Sequence, residues 1–284
     1  MLGHEAAGGK DDAVLDASVG MELLHGYLLI HDDFMDRDEV RRGGPTVHAA
    51  LAKRVGEHVA GSVAILLGSL CQAWAYQLVL AAPGRPLEAA RLLTEALQDV
   101  TVGQALDVLA PGGPELSREG VLEVQRLKTG SYSFELPLRL GAVLAGGSRA
   151  LLDALSAYAR PLGQAFQIAD DLLGSFGAPE LTGKPNASDL REGKRTLLIA
   201  HALAAATPKE AARLRAGLGK ADLSDAEIEA LRNILLRTGA TDAARAEAQR
   251  LCDEAVSALD APALPGPVAQ ALREIAAYSV RRAL

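Results

Sequence analysis

The chain is poor in cysteine and aromatic residues and carries no surplus of positive charge. Only Cys71 and Cys252 occur in 284 residues. They lie far apart, so no disulfide framework is indicated and a reducing cytoplasm is the expected setting. Aromatic residues make up 4%, and no alternation of Val, Ile or Thr runs long enough to build a sheet. A net charge of −7 lacks the basic footprint of a nucleic-acid binder. The opening MLGHEAAGGKDDAV shows no charged-then-apolar signal pattern, so secretion is not expected. What fills the chain instead is Ala and Leu, within an apolar share of 49%. Both are strong helix formers, and the economical reading is one all-α domain over residues 1–284.

Charge is also missing from Val59 to Ala82, a stretch long enough to span a bilayer core of roughly 30 Å. Ser62, Ser69, Gln72 and Gln77 interrupt it, and the glutamines would sit poorly in lipid. A helix that is apolar all round also suits the core of a large helical protein or an oligomer interface. That reading is preferred, so no integral membrane span is expected.

Punctuation marks out the other helices. Asp16 to Arg37 reads as one helix with Val19, Leu23, Leu24, Tyr27 and Leu28 as its apolar stripe, broken by Arg42-Gly43-Gly44-Pro45. The Val59–Ala82 helix ends at Pro83-Gly84. Leu87 to Leu109 forms a further helix stopped by Pro111-Gly112-Gly113-Pro114. Ser117 opens another that reaches Lys128-Thr129-Gly130. Leu151 to Leu173 leads into a loop from Gly174 to Gly193. Breaks near Pro208, Gly217-Gly219, Gly239 and Pro262-Pro267 divide the remainder.

Two acidic clusters stand inside these apolar helices: Asp32-Asp33-Phe34-Met35-Asp36 and Asp170-Asp171. Asp32 and Asp36 are four apart and project from one helical face. Clustered carboxylates on an apolar wall repel one another and are costly to desolvate. Divalent cations remove both penalties, and hard oxygen ligands suit Mg²⁺, which commonly shares its shell with substrate phosphates. Arg41 and Arg42 follow the first cluster with geometry suited to phosphate oxygens. Lys184, Lys194 and Arg195 follow the second, and Lys128-Thr129 adds an ammonium and a hydroxyl. Singly, each has an ordinary reading: a solvated helix cap, a surface charge, a loop lysine. In this order and spacing they point to a magnesium–diphosphate site.

The strings ELLHGYLLIHDDFMDRDEVRRGGPTVH, RLKTGSYSFELPLRLGA, GQAFQIADDLLGSFG and LTGKPNASDLREGKRTLL resemble the trans-isoprenyl diphosphate synthases of the polyprenyl synthetase family. The likeness runs over nearly the whole chain. It implies a bundle of mostly antiparallel helices around a central cavity, normally a homodimer. By the resemblance, Asp32, Asp36 and Asp170 ligate Mg²⁺, about three ions per active site, with Asp33 and Asp171 in support. Arg41, Lys128, Thr129, Gln167, Lys184 and Lys194 contact the allylic diphosphate. His25 and Arg42 match positions for isopentenyl diphosphate. The implied reaction ionises the allylic diphosphate, condenses the cation with isopentenyl diphosphate and loses a proton to the departing diphosphate.

The resemblance also exposes departures. Gly174 stands where the second motif normally has its third Asp, which leaves a weaker metal site as an expectation. Gly68-Ser69 replaces a usual Gly-Asp. The family's Gly-Lys-Arg…Arg element for isopentenyl diphosphate has no match. Gly8-Gly9-Lys10 lies only 22 residues before Asp32, and Lys10 reads as loop charge. On that reading the chain is N-terminally short and weak in condensation. Tyr27, five residues before Asp32, and Leu28, four before, resemble the chain-length floor of geranylgeranyl-forming members. The expected product is geranylgeranyl diphosphate. The alternatives are a farnesyl diphosphate synthase or a poorly active partner subunit of a heteromeric enzyme.

Overall fold

Ala- and Leu-rich segments form helices wherever glycine and proline leave them room. The structure, a computed structural model, describes residues 1–110, 116–177 and 187–281. In chain order these form α1 (Leu2–Ala6), a 3-10 turn (Asp11–Val14), α2 (Leu15–Asp36), α3 (Val47–Val55), α4 (Glu57–Ala81), α5 (Pro86–Leu109) and α6 (Arg118–Gln125). A π-helical stretch (Arg126–Glu135) leads into α7 (Leu136–Leu144) and α8 (Arg149–Phe176). Then follow α9 (Ser188–Glu192), α10 (Leu197–Ala205), α11 (Pro208–Gly217), α12 (Asp225–Arg237), α13 (Ala240–Ala258) and α14 (Gly266–Arg281). A two-residue ladder, β1 (Val40–Arg41) against β2 (Gly44–Pro45), follows α2. It is too short to change the all-α class that the composition implies. The Pro111–Pro114 stop expected after α5 lies outside the described residues.

The chain divides into two compact units. The first is Met1–Gln98, Tyr132–Ala157 and Asp260–Ala269; the second is Asp99–Ser131, Tyr158–Leu259 and Gln270–Leu284. In the first, α2 packs along α4 and α1 lies on α7. Gly3 allows the second contact, because a Cβ there would stand 2.7 Å from the Leu138 carbonyl carbon. Leu24, Ala75, Val79, Leu93 and Leu140 form a shared core, with Leu23, Tyr27 and Leu28 partly buried against it.

Two sequence expectations need correction here. Val19 is exposed, because α2 buries the edge formed by Ala17, Gly20 and Leu24 instead. The α4 helix, which holds most of the charge-free run, is not a core helix within this chain. It buries its small residues, Ala60, Gly61, Ala64, Gly68 and Ala75, together with Val79. It leaves Ile65, Leu66, Leu67, Leu70 and Trp74 exposed, Leu66 by 67%. Close helix packing selects small side chains, so the large ones fall on the outer face. Asp12–Asp36 and Glu57–Ala81 are each long and apolar enough to cross a membrane by length and composition.

The second unit is built on α8, whose Tyr158, Leu162 and Ile168 are fully buried with Leu198 of α10, Leu214 of α11 and Ile228 of α12. Capping boxes start two of these helices, Thr207 with Glu210 for α11 and Ser224 with Glu227 for α12. Each satisfies backbone donors that a helix start leaves open. Pro208 therefore begins a helix, because proline is tolerated in the first turn. Pro161 lies within α8. Inside the core the Tyr158 hydroxyl donates to the Leu272 carbonyl at 2.7 Å. Tyr158→Phe removes that bond while keeping the ring, and is expected to cost about 1 kcal/mol. Differential scanning calorimetry should show Tm lower by roughly 2–4 °C.

Candidate active site

The first acidic cluster closes α2. Arg37 ends the helix in a left-handed conformation, φ +60°, and the chain turns back through the β1–β2 hairpin. The turn residues Arg42 and Gly43 both have positive φ, +52° and +76°, as a tight two-residue hairpin requires. This turn returns Arg41 to the carboxylates it follows in sequence. Its Nε donates to Asp33 Oδ1 at 2.5 Å, and its guanidinium lies 3.6 Å from Asp32 and 3.9 Å from Asp38. Asp33 is buried, and burial raises its carboxyl above the ordinary range against the opposing pull of Arg41. Asp32 and Asp36 are half-buried on one face of α2, and Arg42 is exposed at the hairpin tip.

One turn and more before Asp32, Tyr27 meets His31 edge-on with ring centroids 4.7 Å apart. The His31 Nε2 pairs with the Ile65 carbonyl of α4 at 3.0 Å. Burial raises the Tyr27 hydroxyl, with Tyr76 adding to it. His25 Nδ1 stands 3.4 Å from the Tyr132 hydroxyl. Burial lowers the His25 pKa, and the Arg42 and Arg41 charges lower it further against Glu22, so the imidazole is neutral at pH 7.

The second cluster is set by a relay of side chains. The sequence predicts an ordinary helix through Lys128-Thr129-Gly130. The backbone instead widens into π turns from Arg126, a geometry often found at functional sites. Two glycines receive this wider segment. A Cβ on Gly103 of α5 would fall 2.8 Å from the Leu127 carbonyl carbon, and one on Gly163 of α8 would fall 2.5 Å from Gly130 Cα. Thr129 is thereby brought to α8, where its hydroxyl donates to Gln167 Oε1 at 2.7 Å. Gln167 Nε2 donates to Asp171 Oδ1 and Gln125 Nε2 to Asp171 Oδ2, both at 2.8 Å. Asp171 is buried while Asp170 is exposed. Burial, then the Asp189 charge, holds the Asp171 carboxyl well above the carboxylate range; Asp170 adds to this, and Gln167 and Lys194 oppose it.

The lysines of the second unit are paired with acids. Lys128 Nζ lies 2.5 Å from Asp107 of α5. Lys194 Nζ lies 2.8 Å from Glu192 and 3.9 Å from Asp189. The Arg195 Nε donates to the Ala110 carbonyl at 3.3 Å. Lys184 lies outside the described residues. Thus His25, Tyr27, Leu28, Asp32, Asp33, Asp36, Arg41 and Arg42 belong to the first unit. Lys128, Thr129, Gln167, Asp170, Asp171 and Lys194 belong to the second. Sequence reasoning missed Gln125, Asp107, Tyr132 and Asp189. Asp107 carried a signal, being a lone acid in the apolar run Ala-Leu-Asp-Val-Leu. The others are recognisable only through their partners.

The donor set suits a hard cation, since the clustered groups are carboxylate and carboxamide oxygens. Among the described residues no three His, Cys, Asp or Glu side chains converge as a ready-made metal cage. An ion held here draws the rest of its shell from water and phosphate oxygens, as Mg²⁺ usually does. Its charge would also offset the burial penalty on Asp33 and Asp171.

A helical chain that sets acidic clusters beside arginine, lysine and amide donors has the constitution of an enzyme for metal-bound diphosphates. Comparison with known proteins gives this class its family. The chain matches the Polyprenyl synthetase family model over residues 1–235. It is 34% identical over 282 residues to a (2E,6E)-farnesyl diphosphate synthase of Mycobacterium bovis, spanning 98% of this chain and 76% of the relative. It is 33% identical over 285 residues to a geranylgeranyl diphosphate synthase of Methanosarcina mazei, spanning 99% and 83%. A crystal structure of geranylgeranyl pyrophosphate synthase from Corynebacterium glutamicum, complexed with isoprenyl diphosphate and magnesium, superposes with a TM-score of 0.89 at 38% identity. It covers 99% of this chain and 84% of its own. The chain belongs to the polyprenyl synthetase family, and it is a prenyltransferase that forms short-chain prenyl diphosphates.

The glycine contacts make the position of Lys128 and Thr129 testable. Gly163→Ala forces a methyl against the Gly130 backbone, an overpacking expected to cost about 1–3 kcal/mol. Calorimetry should show a lower Tm. Isothermal titration should show weaker binding of a non-ionising allylic diphosphate analogue.

Proposed function

We propose that the product is geranylgeranyl diphosphate, built from an allylic diphosphate and isopentenyl diphosphate. The observation carrying this reading is the place of Tyr27. It lies on the same helix as Asp32 and Asp36, more than a turn below them, partly buried against the core and set edge-on to His31. A growing prenyl tail that extends from the acidic cluster along α2 is stopped by this ring. Leu28 beside it leaves room that a second aromatic would remove. The similarity to a farnesyl diphosphate synthase keeps the shorter product as the rival reading. Wild-type chain incubated with Mg²⁺, isopentenyl diphosphate and each allylic primer should yield the C20 product. Tyr27→Ala should shift the products to longer chains in liquid chromatography with mass detection. A farnesyl end product, or an unchanged distribution in the variant, contradicts the assignment.

The roles follow from the donors. Asp32 and Asp36, and Asp170, bind Mg²⁺, about three ions per site, with Asp33 and Asp171 behind them as acids held by Arg41 and by Gln125 and Gln167. When bound, the metal neutralises the diphosphate and weakens the allylic C–O bond. Arg41, Lys128, Thr129, Gln167, Lys184 and Lys194 bind the diphosphate oxygens of the allylic substrate. Lys128 exchanges Asp107 for phosphate. Neutral His25, steadied by Tyr132, and exposed Arg42 bind isopentenyl diphosphate. Its double bond attacks the allylic cation, forming the new C–C bond. A proton is then lost to the departing diphosphate, so no protein side chain serves as base.

The enzyme acts in the cytoplasm as a homodimer without a membrane span. The exposed face of Ile65, Leu66, Leu67, Leu70 and Trp74 supports this. A patch of large apolar side chains on one long helix marks an interaction surface, and polar Gln72 and Gln77 on the same helix disfavour lipid. Leu66→Asp with Leu70→Asp should convert the dimer to a monomer in light scattering coupled to size exclusion. A variant that stays dimeric places the interface elsewhere.

A further inference from the structure

The second acidic pair sits where a helix is least able to hold it. Asp170 and Asp171 belong to the last two turns of α8, which ends at Phe176. The C-terminal end of a helix carries partial negative charge and leaves its last carbonyls open. Acids there oppose the helix dipole, and no basic residue lies in the last turn of α8. The run Asp-Asp-Leu-Leu-Gly-Ser-Phe also holds few strong helix formers, and Gly174 is the weakest of them. No better helix former fits at that position. A Cβ built on Gly174 would fall 2.5 Å from Asp189 Cγ and 2.7 Å from its Oδ1. By these local terms the end of α8 should fray, yet it stays helical through Phe176.

The tie that holds it comes from α12. Arg232 Nε donates to the Ser175 carbonyl at 2.8 Å. The guanidinium carbon stands 5.8 Å from the centroid of the Phe176 ring, within reach of a cation–π contact. One side chain thus grips two consecutive residues of the last turn and brings positive charge to the negative helix end. The Arg232 side chain is 14% exposed, so solvent ions screen these contacts weakly. It also meets Glu229 at 2.8 Å, but that acid is 61% exposed and its pull is small. The base from which the arginine reaches is firm. Ile228, Leu231, Ile234 and Leu235 of α12 are buried, and a Cβ on Gly217 of α11 would meet Leu231 Cδ1 at 2.9 Å. Asp171 lies one helical turn before Ser175, so what happens to the last turn is felt at the acidic pair.

We propose that Arg232 is a positioning residue of the second acidic motif, clamping the last turn of α8 so that Asp170 and Asp171 keep their helical places. The inference rests on the prenyl diphosphate synthase reading above for what those acids then bind. Loss of the guanidinium has two consequences of opposite sign. Removing a positive charge from the neighbourhood of acids strengthens their hold on a cation. Releasing the turn that carries them weakens it. On this proposal the second effect is the larger.

Arg232→Met removes both contacts and tests this. Arg232→Gln keeps a donor without the charge and serves as the milder variant should the methionine form fail to fold. Hydrogen–deuterium exchange read by mass spectrometry follows the amides of residues 170–177 without any ligand. Bound Mn²⁺ is measured by electron paramagnetic resonance with inorganic diphosphate present. Both variants should exchange faster over residues 170–177, with residues 30–36 at the end of α2 unchanged. Mn²⁺ association in Arg232→Met should be about fivefold weaker, the ratio that loss of one ordinary hydrogen bond gives. Arg237→Met, which takes an exposed arginine from the same helix, should match the wild type in both measurements. Unchanged exchange at the end of α8 in a folded variant overturns the proposal. So does Mn²⁺ binding as tight as the wild type or tighter, or an equal change in Arg237→Met. Failure of the wild type itself to bind Mn²⁺ with diphosphate overturns the underlying functional reading instead, while the exchange measurement still decides the clamp.

Discussion

A carboxylate inside an apolar helical protein persists only if something replaces the hydration it has lost. Most of the site follows from that constraint. Asp33 is buried and meets the guanidinium of Arg41, and this pairing fixes where the hairpin after α2 must return. Asp171 is buried and takes two carboxamide donors, which fixes Gln125 and Gln167 and, through Gln167, Thr129. The carboxylates ascribed direct metal contact, Asp32, Asp36 and Asp170, are the more exposed members of their clusters. Each cluster therefore has a buried inner acid satisfied by the protein beside more accessible acids.

The same economy governs the cations. Lys128 and Lys194 rest on Asp107, Glu192 and Asp189, so each lysine has a counter-charge within the protein. A diphosphate with its metals supplies stronger partners than a single carboxylate. Backbone packing holds these side chains in place. Gly103 and Gly163 admit the π-helical stretch at van der Waals limits, so a methyl at either position pushes on main chain and not on a flexible tip.

Much of the helical layout was legible from sequence, because period and punctuation act locally. The ends of α2 and α5 were read within a residue or so, and Ser117 does cap α6. The acidic motifs and Arg41 were legible because their spacing is itself the chemistry. Properties that depend on distant partners were not. The run Gln-Arg-Leu-Lys-Thr-Gly carries no mark of π widening. The glycines that give it room, Gly103 and Gly163, lie outside the run. The exposure of Val19 and of the large residues of α4 depends on which edge each helix offers its neighbour, and hydropathy alone does not encode this. The closeness of the Asp189 carboxylate to Gly174 required coordinates, since fifteen positions of sequence separate them.

The central claim is that the protein alone leaves a charge deficit that metal and diphosphate fill together. Melting curves with Mg²⁺ alone, inorganic diphosphate alone and both together measure it directly. Either ligand alone should shift Tm little. The pair at about a hundred times its dissociation constant should add roughly 2.7 kcal/mol, or about 5–10 °C. An unchanged Tm with both present, or a full shift with either one alone, contradicts the account.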